Sequence, residues 1–220
     1  MNTQATPRWE EQLKRTTLVI VRLGLAYLFF TQLLWKMPPT FGCPPDFKFT
    51  TANADGKLAR TNGLCDWIGI EQVWSTRPHP LLVANIDNQG PPEISIDIAP
   101  LARLNGIFIE KVIMPTIRVS GWLIFGGEAF IFISLFLGLF SRLGALIALA
   151  ISGQLVVGLA GISNPSEWEW GYTQIFLLSL VMLGTAPGRI FGLDALLRPR
   201  LKAAADGGNR LAGLCYHWLT

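Results

Sequence analysis

The sequence predicts an all-α membrane protein, a bundle of four transmembrane helices with a long extracytoplasmic loop between the first and second. Three observations predict it. Half of the 220 residues are hydrophobic and only 15% are charged, against about 25% charged in an ordinary soluble domain. The apolar residues gather into four long runs. Lysine and arginine are distributed unevenly around those runs. This composition excludes a disordered chain, which needs low hydrophobicity and high net charge. The net charge of +3 is small and scattered, so no nucleic-acid partner is expected; the bilayer is.

A helix needs roughly 20 mostly apolar residues to cross a hydrocarbon core about 30 Å thick. Residues 1–15 read as a cytoplasmic N-terminus. The first span covers Thr16–Trp35 (TTLVIVRLGLAYLFFTQLLW). It is longer than the apolar region of a signal peptide and no small-x-small cleavage site follows it, so it is expected to remain in the protein. Residues 36–111 form the outer loop, 112–140 the second span, 143–161 the third and 171–190 the fourth. Residues 191–220 form the tail. Helices are expected because lipid offers no partner to open backbone groups, and the alternation of a barrel strand is missing.

Basic residues orient the bundle. Arg8, Lys14 and Arg15 precede span one, Arg142 lies in the turn between spans two and three, and Arg189, Arg198, Arg200, Lys202 and Arg210 follow. The short loop after span three has Glu167 and Glu169 instead. The long loop holds seven lysines and arginines, but long loops weigh little in the positive-inside rule. Both termini therefore read as cytoplasmic, in an inner (cytoplasmic) membrane. Trp35, Trp168, Trp170 and Tyr172 make an outer aromatic belt.

The loop is too long to be a structureless connection. Pro38, Pro39, Pro44 and Pro45 start it extended or turned. Ile94–Ile98 (ISIDI) alternates like a short strand. Leu101, Leu104, Ile107, Phe108 and Met114 recur near helical spacing, as in a helix lying on the membrane before Pro115. A small extracytoplasmic cap is expected. Cys43 and Cys65 both fall in it, facing an oxidising compartment where a disulfide persists. Such a bridge is either structural or redox-active. The structural role is favoured, because the spacing is far from a compact C-x-x-C arrangement. Cys215, in the tail, is expected as a free thiol.

The two histidines, His79 and His217, lie outside the spans. An intramembrane bis-histidine haem is therefore excluded. No C-x-x-C-H motif, nucleotide-binding glycine motif or metal-spaced cysteine set is present, so no haem and no metal are expected. An electron carrier, if any, is a diffusible membrane quinone, the cysteine pair, or a cofactor of another subunit.

The spans hold a small polar set: Arg22 in the first, Glu128 and Arg118 in the second, Gln154 in the third. Ionisable groups at such depth are expensive and usually face the bundle interior or a cavity. Two readings stand side by side. Arg22 and Glu128 form an ion pair that locks two helices, or Glu128 handles a proton beside a quinone headgroup with Arg22 tuning it. Gln154, expected level with Glu128, and Trp122 are the candidate quinone contacts. Arg118 is expected to snorkel to the outer interface or to face the outer loop rather than to be catalytic. The glycines of spans two and three read mostly as packing. Gln32 and Gln174, near Trp35 and Trp168, line an outer pocket or anchor the interface.

Three stretches, in order, resemble the DoxX/DoxD membrane proteins. They are RLGLAYLFFTQLLWK (Arg22–Lys36), GGEAFIFISLFLGLFSRLGALIALA (Gly126–Ala150) and GYTQIFLLSLVMLGTAPGRIFGLDALL (Gly171–Leu197). The Gly-Glu of span two, the G-L-x-[ST]-R-L turn and the closing Gly-Arg and Leu-Asp carry the likeness. The long loop resembles the DoxD branch, the membrane subunit of a thiosulfate:quinone oxidoreductase. The resemblance implies a membrane quinone as cofactor, thiosulfate as donor and a small DoxA-like partner. It also implies Arg22, Glu128, Arg142, Arg189 and Asp194 as the matching polar positions. Lys36, Arg77 or Arg103 would attract the thiosulfate dianions. Orientation and helix capping explain Arg142, Arg189 and Asp194 without chemistry. The alternative function is a non-catalytic accessory subunit of a larger respiratory or photosynthetic complex, packed through Phe125, Phe130, Phe132, Phe136 and Phe140. A small transporter is the third possibility, disfavoured because no inverted repeat or unwound mid-span pair is evident.

Overall fold

The computed structural model describes residues 7–43, 63–84, 94–160, 162 and 169–220. Pro44, Pro45, Glu167 and Trp168 lie outside them, as do the side chains of Glu169 and Trp170. The described residues are mostly helical. In chain order they form α1 (Arg8–Leu33), α2 (Leu64–Trp74), β1 (Pro80–Ala84), β2 (Ile94–Asp97), α3 (Ala99–Phe108), α4 (Ile117–Leu137), α5 (Ser141–Leu159), α6 (Glu169–Thr185), α7 (Leu193–Asp206) and α8 (Arg210–Leu214). This is an all-α membrane protein with one small hairpin. α1, α4 and α5 are long and apolar enough to cross a membrane, and α6 is apolar over Gly171–Thr185 but shorter.

Local chemistry sets the ends of these helices. α1 begins at Arg8, well before its apolar part, and its first turns carry i,i+4 ion pairs, Glu10 with Lys14 at 3.7 Å and Glu11 with Arg15 at 3.1 Å. The apolar run expected to enter the membrane at about Val112 divides instead. Residues Ile109–Ile113 form a π-helical turn after α3, and α4 starts only at Ile117. Pro115, which has no N–H to give, accounts for the break. α6 ends at Thr185, short of the expected Ile190. There Ala186 takes a left-handed φ of 46° and Pro187 opens a 3-10 turn.

The chain packs as two compact units. The first contains Met1–Gln32, Gly127–Leu149 and Leu177–Thr220. Its core includes Leu25, Phe29, Ile131, Leu135, Ala145 and Met182, all buried. Phe30 meets Phe132 at 5.0 Å and Phe132 meets Phe136 at 5.7 Å between ring centres. Phe136 is exposed.

The second contains Leu33–Gly126 and Ala150–Phe176. It is organised around α2, a helix of 11 residues that is too short to cross a bilayer. Leu64 and Ile68 join Phe41 and Ile109, with Ile117 and Phe125 packed against them. Ile70 joins Leu159 and Ile162, with Trp67, Trp74 and Tyr172 around them. Trp67 lies between Trp35, stacked at 5.9 Å, and Tyr172, edge-on at 5.4 Å. Cys43 and Cys65 are joined in a disulfide that ties the start of α2 to the end of the Pro38–Cys43 turn. The hairpin is antiparallel, with Leu82 opposite Ile96 and Ala84 opposite Ile94. The carboxylate of Asp97, the last residue of β2, accepts from the N–H groups of His79 and Ala99, at 3.1 and 2.8 Å, and so ties the hairpin to the first residue of α3.

Candidate functional site

The second unit contains a buried acid that the sequence reading did not single out. Glu71 projects from α2 and is 4% exposed. The side-chain amides of Asn105 (α3, at 3.0 Å) and Gln154 (α5) both donate to its Oε2. Gln154 also donates to Asn105 Oδ1 at 3.3 Å, which closes a three-residue network across three helices. Gly158, one turn beyond Gln154, makes room for it. A Cβ there would stand 2.5 Å from Glu71 Oε2 and 2.9 Å from Asn105 Nδ2.

Two cationic or titratable neighbours complete the surroundings. Lys36 is buried, its Nζ lying 4.5 Å from the Trp35 ring centre, and its charge acts on Glu71. His79 is fully buried; its Nδ1 lies 2.7 Å from the Arg77 carbonyl and its Nε2 3.3 Å from the Gly158 carbonyl. A neutral ring donates to one of these oxygens only.

Burial raises the Glu71 pKa, while the Asn105 and Gln154 amides and the Lys36 charge oppose the rise and hold it at about 7. Desolvation penalises the ionised form, and donors aimed at the oxygen favour it. The balance leaves a carboxyl that takes up and releases a proton in the neutral range. A perturbed acid with converging polar groups marks a candidate functional site. Among the described residues no group of three or more histidines, cysteines or acids is arranged to hold a metal.

Of the residues expected to form the site, Gln154 donates to Glu71 and Asn105 in the second unit. Trp122 is 56% exposed, edge-on to Phe41 at 5.5 Å and to Phe125 at 6.5 Å. Glu128 is 3% exposed on α4, in the first unit, and does not face lipid.

Arg22, also in the first unit, belongs to a tight polar knot. Its Nη1 donates to the carbonyls of Phe191 at 2.5 Å and Pro187 at 3.3 Å. Asp194, fully buried and attracted to Arg22, accepts from the N–H groups of Phe140 (2.7 Å) and Ser141 (2.9 Å) and from Ser141 Oγ (2.7 Å). It thereby caps α5, and its own N–H donates to the Gly138 carbonyl at 2.8 Å. Gly138, with φ of +63°, and Gly192 let the backbones approach; a Cβ on either would collide with Arg22. The closing Leu-Asp and the G-L-x-[ST]-R-L turn are thus parts of one corner. Arg142 and Arg189 donate to the carbonyls of His217 and Thr220.

Glu71 escapes a reading of the sequence because it sits in a 76-residue connection, where a lone acid normally faces water. One signal was present: in WIGIEQVW (Trp67–Trp74) it is the single charge in an apolar stretch. No family model, curated protein or solved structure matches the chain.

Proposed function

We propose that the protein is a four-span, DoxX/DoxD-like subunit of a quinone-linked oxidoreductase, in which Glu71 handles protons for the reduction of a membrane quinone. In this arrangement α6 supplies the fourth span. Both termini lie on the cytoplasmic side of the inner membrane, and the segment carrying α2, the hairpin and α3 lies outside. The observation that carries the reading is the buried Glu71 network, which joins an apolar membrane helix to an acid titrating near neutral pH. Reducing a quinone to a quinol consumes two electrons and two protons, so a group that gives up and regains a proton at cellular pH is what the reaction requires.

Thiosulfate is the proposed donor, two dianions joining to tetrathionate with release of two electrons. Arg77 and Arg103 are exposed on the same unit and suit recruitment of a dianion. A small DoxA-like subunit completes the complex. The test is quinone reduction by the purified complex with thiosulfate. The expected result is turnover that Glu71→Gln lowers about 100-fold, the scale of a lost acid–base group. An unaltered rate in Glu71→Gln, with loss in Glu128→Gln, would move the site to Glu128. No turnover in the complete complex would remove the enzymatic reading and leave that of a non-catalytic subunit, to which the exposed Phe136 and Trp122 are suited.

A further inference from the structure

The C-terminal helices present a face that the other described residues do not cover. α7 and α8, with the π turn Cys215–Leu219 that prolongs α8, pack on one another as a helical hairpin. Arg198 holds the two arms together, its guanidinium 4.4 Å from the Tyr216 ring centre. Both arms are tied to the same place. Asp194 at the beginning binds the Phe140–Ser141 turn, and the His217 carbonyl near the end accepts from Arg142 at 3.0 Å. The hairpin therefore leaves the α4–α5 turn and returns to it.

Its outer surface is amphipathic. Leu193 and Leu196 are exposed on α7, and Leu211, Leu214 and Trp218 on the second arm, spaced three and four apart on one helical face. Leu211 is 74% and Trp218 73% exposed, which is unusual for side chains meant for water. Arg200, Lys202 and Arg210 are exposed among them, Lys202 with its Nζ 3.3 Å from the carboxylate of Asp206, the exposed acid of the hairpin, in a solvent-open pair that a phosphate can displace. Phe191, 74% exposed, continues the apolar surface back towards α6.

We propose that this hairpin lies in the membrane interface and binds anionic lipid headgroups. The leucines and Trp218 enter the headgroup–acyl boundary, and Arg200, Lys202 and Arg210 pair with phosphates. Charge complementarity selects the occupant. An apolar stripe rimmed by basic residues matches a negatively charged leaflet, and the hairpin is tethered directly behind an apolar helix, so it needs no recruitment. The inference is independent of the proposed function.

The test uses the full chain in nanodiscs, with Cys215→Ser to remove the free thiol. A nitroxide is attached in turn at Leu214→Cys, Trp218→Cys and Lys202→Cys. In discs containing phosphatidylglycerol the labels at 214 and 218 are expected to be open to oxygen and shielded from a water-soluble nickel chelate, with the opposite pattern at 202. Replacing Arg200, Lys202 and Arg210 by glutamine is expected to weaken membrane residence of the arm labelled at 214 or 218, roughly fivefold per basic residue. Chelate access at 214 and 218 in the anionic discs would overturn the proposal. So would an identical oxygen pattern in phosphatidylcholine discs at high salt, or no response to the three glutamines.

Discussion

Glu71 sits at a balance between opposing effects, and its stability linkage follows from that. Its native pKa, about 7, stands above the ordinary value of 4.5. The folded protein therefore binds the extra proton between those values while the unfolded chain has lost it. The resulting stability is fully present below about 4.5 and is lost as pH rises through about 7. The full loss is about 3 kcal/mol. Thermal unfolding followed across that interval is expected to show a downward slope in wild type that flattens in Glu71→Gln, because glutamine cannot ionise. Equal slopes would mean that Glu71 is ionised throughout. Gly158→Ala is the steric counterpart. Its methyl group would press on both Glu71 and Asn105, and overpacking of this kind costs about 1–3 kcal/mol, read as a lower melting temperature. Identity alone does not reveal such residues. Arg22 and Glu128 stood out because they interrupt apolar runs, yet Arg22 Nη1 donates to the carbonyls of Pro187 and Phe191. Glu71 was hidden because burial of a connecting segment is a property of the tertiary fold.

Individual elements differ in how far their own residues specify them. The four apolar runs stand out through hydropathy alone, and ISIDI through its alternation, which the structure realises as β2. α2 has no side-chain N-cap, and its period is masked because both of its broad sides are apolar, one against Phe41 and the other against Leu159. It exists because partners far away in sequence cover it, and the Cys43–Cys65 bridge fixes its first turn. Replacing both cysteines by serine is expected to cost about 3 kcal/mol for a loop of this length. Hydrogen exchange should then rise across α2 and α3 while α4 and α5 stay protected. α5 depends on a residue some fifty positions away. Asp194→Ala leaves the N–H groups of Phe140 and Ser141 without their acceptor and Arg22 without its counter-charge. A loss of about 3 kcal/mol is expected, measured by denaturation in detergent. Asp194→Asn, which keeps an acceptor oxygen, should recover part of it.

At the scale of the whole molecule, apolar helices make this a membrane protein, while the polar residues among them divide into two kinds of use. The knot of Arg22, Ser141 and Asp194 caps α5 and binds the carbonyls of Pro187 and Phe191 with close backbone approach, an arrangement suited to holding helices in register. The Glu71 network spans three helices with a group that changes charge near neutral pH, an arrangement suited to chemistry. Both sets contain a buried acid; Asp194 is held by backbone N–H donors as a cap, while burial raises the pKa of Glu71. The central claim is that Glu71 exchanges a proton in the neutral range in the intact, lipid-embedded protein. Infrared difference spectroscopy of the full chain in nanodiscs, wild type against Glu71→Gln, tests it most directly. The account predicts a protonated-carboxyl band, absent from the variant, that fades with a midpoint near 7. A carboxylate already ionised down to the ordinary value of 4.5 would contradict it.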